Sequence, residues 1–140
     1  MEGYACISLS PIHPAILRRV SAEELTSREW AFCALDPWGA QQVRGGIIRC
    51  DTLLLPDGVG LVYQARQAVS YGLSEKNSLT LSGMEHPFLC VQRQLQAVNG
   101  QTVEMQELPL PLGWSNYSDE QQLFLAGVHL LLEGGLYRLG

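Results

Sequence analysis

Two turn dipeptides, Asp57-Gly58 and Asn99-Gly100, each stand between two runs of strand-forming residues, and they constrain the fold of this chain more than any other feature. Residues 47–55 lead into Pro56-Asp57-Gly58 and residues 59–69 follow; residues 88–98 lead into Asn99-Gly100 and residues 101–110 follow. Asn-Gly suits a two-residue type I′ turn, because both central positions need φ > 0. Each pair of runs is therefore expected to form a β-hairpin. After Asn99-Gly100 the alternation places Val103, Met105 and Glu107 on one face. Glu107 is thus expected to point inward, with Glu104 and Gln106 turned to solvent. Pro109 and Pro111 end that strand.

Helical signals flank this β region. Residues 4–9 form a short apolar stretch that suits a strand or an extended lead-in. Pro11 and Pro14 open a segment in which Ile12, Ala15, Ile16, Leu17 and Val20 recur at helical spacing. A second helix is expected from Ser21, where Ser21 and Glu24 fit the S-x-x-E capping box; Leu25, Phe32 and Leu35 supply its buried stripe and Asp36-Pro37 stops it. Ser118-Asp119-Glu120 caps a last helix that runs to Glu133 and ends at Gly134-Gly135. No repeat or low-complexity tract divides the 140 residues, so a single domain over 1–140 is expected. The expected fold class is α+β: a largely antiparallel sheet of hairpins with flanking N-terminal and C-terminal helices, rather than a parallel Rossmann sheet.

Composition narrows the function classes. An apolar fraction of 46% with 16% charged residues is that of a folded globular protein and excludes disorder. A net charge of −5 argues against a nucleic-acid partner held through phosphates. The N-terminus shows no basic region followed by an apolar core, and the apolar run 123–132 is too short to span a membrane and contains His129. Cys6, Cys33, Cys50 and Cys90 form no CxxC pair and sit in apolar contexts, which points to buried reduced thiols in a cytoplasmic protein. His13, His86 and His129 are scattered and lack metal-ligand spacing, so no metal is expected; His129 reads as a core residue. No phosphate loop and no G-x-S-x-G elbow is written, and no cofactor is expected.

Eight of the nine basic residues are arginine and only Lys76 is lysine. Arginine suits forked contact with carboxylates. Arg18, Arg19, Arg44 and Arg138 are expected to be solvated. Arg49, Arg66 and Glu107 each lie within an apolar strand, where a charge either faces solvent or lines a cavity. Two arginines and one carboxylate lining a sheet cavity would suit a small dicarboxylate.

Several motifs, in order, resemble the chorismate lyase (chorismate pyruvate-lyase) family over about residues 12–112. Glu24-Leu25-Thr26-Ser27-Arg28-Glu29-Trp30 resembles the family's loop of the type S-[ML]-T-x-R-[FL]. A strand beginning with Arg49, the Asp57-Gly58 turn and a strand carrying Ala65-Arg66 follow, as in the family. Seven residues after Gly100 comes Glu107-Leu108-Pro109-Leu110-Pro111, the family's E-L-x-L-P. The same superfamily includes the effector-binding domains of GntR-type regulators. The segment between Arg49 and Glu107 is shorter than the family pattern. Its G-x-x-P-L-G element has only Ser82-Gly83-Met84-Glu85-His86-Pro87 as a counterpart, and the helix at 118–133 lies beyond the usual end.

The resemblance implies an antiparallel sheet covered by helices, with a ligand buried beneath helical flaps. It implies a cofactor-free lyase that converts chorismate, or a similar ring carboxylate, to 4-hydroxybenzoate and pyruvate. Glu107 and Arg49 would be catalytic. Arg49, Arg66, Leu25 and Glu107 would bind the substrate, the arginines clamping carboxylates, Glu107 holding the ring hydroxyl or moving a proton, and Leu25 lying on the flap. Two other readings stand beside it: a non-catalytic small-carboxylate-binding module of the same fold, and a structural or interaction protein. The expected partner is a small aromatic or cyclic carboxylate, with no nucleic acid and no membrane, bound by a monomer or a small homo-oligomer.

Overall fold

The computed structural model describes residues 2–10, 12, 17–83 and 87–136, which group into two compact units, 1–69 and 70–140. The fold class is α+β.

The first unit contains β1 (Tyr4–Ile7), β2 (Leu17–Arg19), α1 (Ala22–Ser27), β3 (Glu29–Leu35), α2 (Pro37–Gln42), β4 (Ile48–Pro56) and most of β5 (Tyr63–Tyr71). Its strands lie in the order β2-β1-β3-β4-β5. β1 pairs in parallel with β2 and with β3, and β3 pairs in parallel with β4. The antiparallel expectation fails here. Residues 32–35 and 52–56 are buried without a break, the mark of strands covered on both faces, as parallel strands are.

The expected hairpin at Asp57-Gly58 is also corrected. Gly58 does turn the chain, at φ +74°. Residues 59–62 then run on before β5 begins, and the Ile48 N–H donates to the Val62 carbonyl at 3.1 Å. Side chains at Asp51 and Arg66, and at Thr52 and Gln67, meet at a constant separation of fifteen residues. These contacts advance together along both strands, so β5 starts beside the start of β4 instead of folding back from its end.

The helix expected from Ser21 through Leu35 is six residues long, Ala22–Ser27. Ser21 caps it as expected, accepting the Glu24 N–H at 3.1 Å, but the Glu24 carboxylate bonds Arg18. Thr26 and Ser27 turn their hydroxyls back onto the Ala22 and Glu24 carbonyls, and the Trp30 indole N–H takes the Leu25 carbonyl at 2.9 Å. These bonds compete with further helix, and the aromatic run that follows fits a strand. Asp36-Pro37, expected as a stop, opens α2: the Asp36 carboxylate accepts the Gly39 N–H at 2.6 Å, and Pro37 takes the first helical turn. Of the helix expected at residues 12–20, positions 13–16 lie outside the described residues, and Leu17–Arg19 form β2. Leu25, Trp30, Cys33, Leu35, Ile48 and Leu53 form the centre of this unit's core.

The second unit holds the end of β5, β6 (Leu79–Ser82), β7 (Phe88–Val91), β8 (Leu95–Gln96), β9 (Thr102–Val103), β10 (Gln106–Pro109), a 3₁₀ turn at Leu112–Trp114, and α3 (Asp119–Glu133). Tyr71 of β5 pairs in parallel with Leu79, whereas β6-β7, β7-β10 and β8-β9 are antiparallel. The hairpin expected about Asn99-Gly100 is present. Its turn differs from the type I′ expectation, since among the described residues only glycines have positive φ, here Gly100 at +91°. The Ala97 N–H bonds the Gln101 carbonyl and the Gly100 N–H bonds the Ala97 carbonyl, giving a three-residue loop with glycine in the left-handed position.

Below the turn, residues 92–94 stand opposite only 104–105, so the pairing slips by one. That slip undoes the expected alternation: Val103 is buried, Met105 is 66% exposed, and Glu107 is exposed. α3 follows the sequence signals. Ser118 and Gln121 close a capping box, and Gly134 ends the helix at φ +83°. Residues 122–132 are buried around the whole helix, with Phe124 edge-on to Tyr71 at 6.3 Å and His129 beside Trp114 at 5.7 Å. Among the described residues, no helix is long and apolar enough to cross a membrane.

Candidate functional site

Each residue expected at the site has a partner or place of its own. Leu25 is fully buried in the core of the first unit. Arg49 is half-buried at the start of β4, opposite Glu29 of β3. Arg66 forms a forked pair with Asp51, Nε to Oδ1 at 2.8 Å and Nη2 to Oδ2 at 3.0 Å. The chain itself thus supplies the carboxylate that this arginine was expected to take from a ligand. The pairing holds the Asp51 carboxyl below its ordinary range and raises the guanidinium. Both side chains are too exposed for the pair to contribute more than about 1 kcal/mol. Glu107, in the second unit, accepts from the Ser82 hydroxyl at 2.9 Å and from the Cys90 thiol at 3.5 Å. Among the other arginines, Arg18 is exposed and paired with Glu24, Arg44 is exposed, and Arg138 lies outside the described residues, as do His13 and His86.

A cavity of about 470 Å³ opens elsewhere in the first unit. After β1 the chain turns through Ser8-Leu9-Ser10 around the buried Asp36 carboxylate. Oδ2 accepts from the Ser8 hydroxyl (2.9 Å), the Leu9 N–H (2.8 Å), and the Ser10 N–H and hydroxyl (3.3 Å each). Arg19 of β2 grips the same segment from its other side, donating Nη1 to the Ser8 carbonyl and Nη2 to the Ser10 carbonyl at 2.7 Å. One carboxylate therefore binds the segment's donors and one guanidinium binds its acceptors. Arg19 is exposed, as expected, and in addition clamps this segment through its two carbonyls.

The cavity's apolar walls are Ile7, Leu9, Val20, Ala22 and Trp38; Ser8, Arg19, Ser21 and Gln42 bring polar groups. Its volume lies within the range of small-molecule sites, about 300–1,000 Å³. Leu9 is 67% and Trp38 42% exposed, so an apolar pair is left open to solvent. Gly39 fixes this wall, because a Cβ there would stand 1.8 Å from the Ile7 carbonyl oxygen. Only a glycine lets α2 lie this close to β1. Among the described residues Arg19 has no ion-pair partner within salt-bridge distance, so its charge remains available to an anion. Sequence reasoning missed Arg19, Asp36 and Trp38. Asp36-Pro37 was the available signal, since it reads equally as an N-cap and first helical residue, which places Trp38 on a helix.

Three of the four free thiols are sealed in the first unit. Cys6, Cys33 and Cys50 are at most 3% exposed, and Cys90 is half-buried. Burial pushes the Cys6 thiol up to about 11, against the opposing pull of Arg19. The Cys33 thiol is raised too, by its hydrogen bond with Cys50 and by burial. Reaction with a disulfide reagent at pH 8 is therefore expected to modify Cys90 quickly and the other three only after denaturant is added. Unfolded thiols ionise near pH 9 while Cys6 stays protonated, so stability is full below pH 9 and falls as pH rises toward about 11. Urea midpoints across that window check it; an alkaline limb no steeper in the wild type than in Cys6→Ala would remove Cys6 from it.

Comparison with protein-family models, with curated proteins and with solved structures finds no match for this chain.

Proposed function

We propose that this protein binds a small aromatic or cyclic carboxylate in the cavity between β1, the start of α1, and α2. The observation that carries this reading is the pairing of an apolar cavity with the Arg19 charge and the half-exposed Trp38 ring. Trp38 offers a face on which a planar ring stacks. Arg19 offers the charge that holds a carboxylate, and the Ser21 hydroxyl and Gln42 amide lie on the same lining. Titration with 4-hydroxybenzoate, followed by calorimetry and tryptophan fluorescence, is expected to saturate. Affinity should fall by about tenfold or more, at least about 1.4 kcal/mol, in Trp38→Ala and in Arg19→Gln, and should hold in Arg66→Ala. Failure to saturate overturns the reading. Binding that survives both cavity substitutions but is lost in Arg49→Ala or Arg66→Ala moves the site to β4 and β5.

The lyase reading is a second proposal, favoured by the order of Arg49, Asp57-Gly58, Ala65-Arg66 and Glu107-Leu108-Pro109-Leu110-Pro111 in the chain. In it Arg49 and Arg66 orient the carboxylates of chorismate and Glu107 handles the proton. Incubation with chorismate should then release 4-hydroxybenzoate, visible by its absorbance, and Glu107→Ala should abolish the release. Absence of product above a blank defeats it.

A further inference from the structure

In the second unit, strand register sets four reactive side chains on one face. Cys90 of β7 stands directly opposite Thr80 of β6 and directly opposite Glu107 of β10, with Ser82 two residues beyond Thr80. Directly opposed residues of antiparallel strands have Cβ atoms about 5 Å apart, so Thr80 and Glu107 flank Cys90 as its immediate neighbours, one on each side. The Glu107 Oε2 atom accepts both the Cys90 thiol and the Ser82 hydroxyl. Thr80 is 6% exposed, and its hydroxyl has no hydrogen-bond partner among the described residues. A buried hydroxyl left without a partner costs about 1–3 kcal/mol, which favours any group that supplies one.

We propose that Cys90 is a site of oxidation by hydroperoxides, at which the product sulfenic acid is held between Glu107 and Thr80. The sulfur attacks the peroxide's terminal oxygen; an S–O bond forms and the O–O bond breaks. The thiol proton passes by way of the Glu107 carboxylate to the leaving alkoxide or hydroxide, so Cys–SH and ROOH give Cys–SOH and ROH. Sulfur loses two electrons and the peroxide gains them. In the product the S–O–H group donates to Glu107, replacing the S–H bond, and its oxygen accepts from the Thr80 hydroxyl. The inserted oxygen gives Thr80 its partner.

A sulfenic acid persists where no second thiol can condense with it. Cys90 is the only cysteine in residues 70–140, and the remaining three are sealed from solvent. The oxidised form is therefore expected to accumulate.

The test is hydrogen peroxide treatment of the full chain, with dimedone added at intervals and the adduct located by peptide mass. The expected result is a dimedone adduct at Cys90 that remains trappable long after excess peroxide is removed. Its lifetime should shorten several-fold in Thr80→Val and in Glu107→Ala and persist in Thr80→Ser. Glu107 is exposed, so its substitution keeps the test informative even where a change at the buried Thr80 disturbs folding. Three results would overturn the proposal: no adduct at Cys90, direct passage to the sulfinic acid or an intermolecular disulfide, or one lifetime shared by the wild type and Glu107→Ala.

Discussion

Asp36→Ala is expected to lower the unfolding free energy by about 2–4 kcal/mol, through the lost helix cap and the unmade hydrogen bonds, a large share of what a domain of this size possesses. The buried carboxylate accepts from the hydroxyls of Ser8 and Ser10 and from the N–H groups of Leu9, Ser10 and Gly39. Alanine removes the acceptor and strands the buried Ser8 and Ser10 hydroxyls and the Gly39 N–H, each of which bears its own desolvation cost, while the Ser10 N–H keeps the Ser8 hydroxyl at 2.8 Å. The loss also reaches Arg19, whose hold on the Ser8 and Ser10 carbonyls depends on that segment's path. Asp36→Asn should fall between, since its amide oxygen can still cap α2 while its NH₂ faces groups that need an acceptor. Urea unfolding followed by tryptophan fluorescence measures the midpoint shift. A midpoint within error of the wild type would show that the network contributes nothing.

Gly39→Ala is the second large effect, expected at about 2–3 kcal/mol or beyond. The new Cβ would lie 1.8 Å from the Ile7 carbonyl oxygen, and backbone cannot rotate away as a flexible side chain can. Relief requires α2 to lift from β1, which carries Trp38 and Gln42 with it. Affinity for 4-hydroxybenzoate should therefore fall together with stability, although Gly39 does not line the cavity. Gly60→Ala is the matched control: nothing lies within 4 Å of its added Cβ, and its φ is not positive. Equal midpoints for the two variants would show that α2 is free to move.

What the chain discloses locally, it discloses well. α3 is written in Ser118, Gln121 and Gly134, all in contact with the helix they bound, and the Asn99-Gly100 loop needs no distant residue. The first unit is decided at longer range. Tyr4 registers against Phe32, and Ser8 finds its carboxylate twenty-eight residues on. Alternation is the signal for strands with one wet face. The unbroken apolar runs at 32–35 and 53–55 were the contrary signal, of strands covered on both sides. A turn dipeptide states that the chain reverses; it does not state where the next strand begins pairing, and residues 59–62 made that difference. At the candidate site, Arg66 was visible as a charge within a strand. Its partner Asp51 lies fifteen residues away, where no local pattern reports it.

The two outermost strands have a bearing on self-association. Among the described residues, β2 is hydrogen-bonded on one side only, to β1, and β10 on one side only, to β7. An open strand edge invites a second copy of the chain to add to it. β2 spans three residues, two of them arginines, which is too short and too charged to template a long partner. β10 spans four, contains the Glu107 carboxylate, and ends on Pro109, which has no N–H to offer an incoming strand; Pro111 follows two residues later. The prolines that mark the end of a strand in the sequence thus also guard the folded chain against growth into edge-to-edge aggregates.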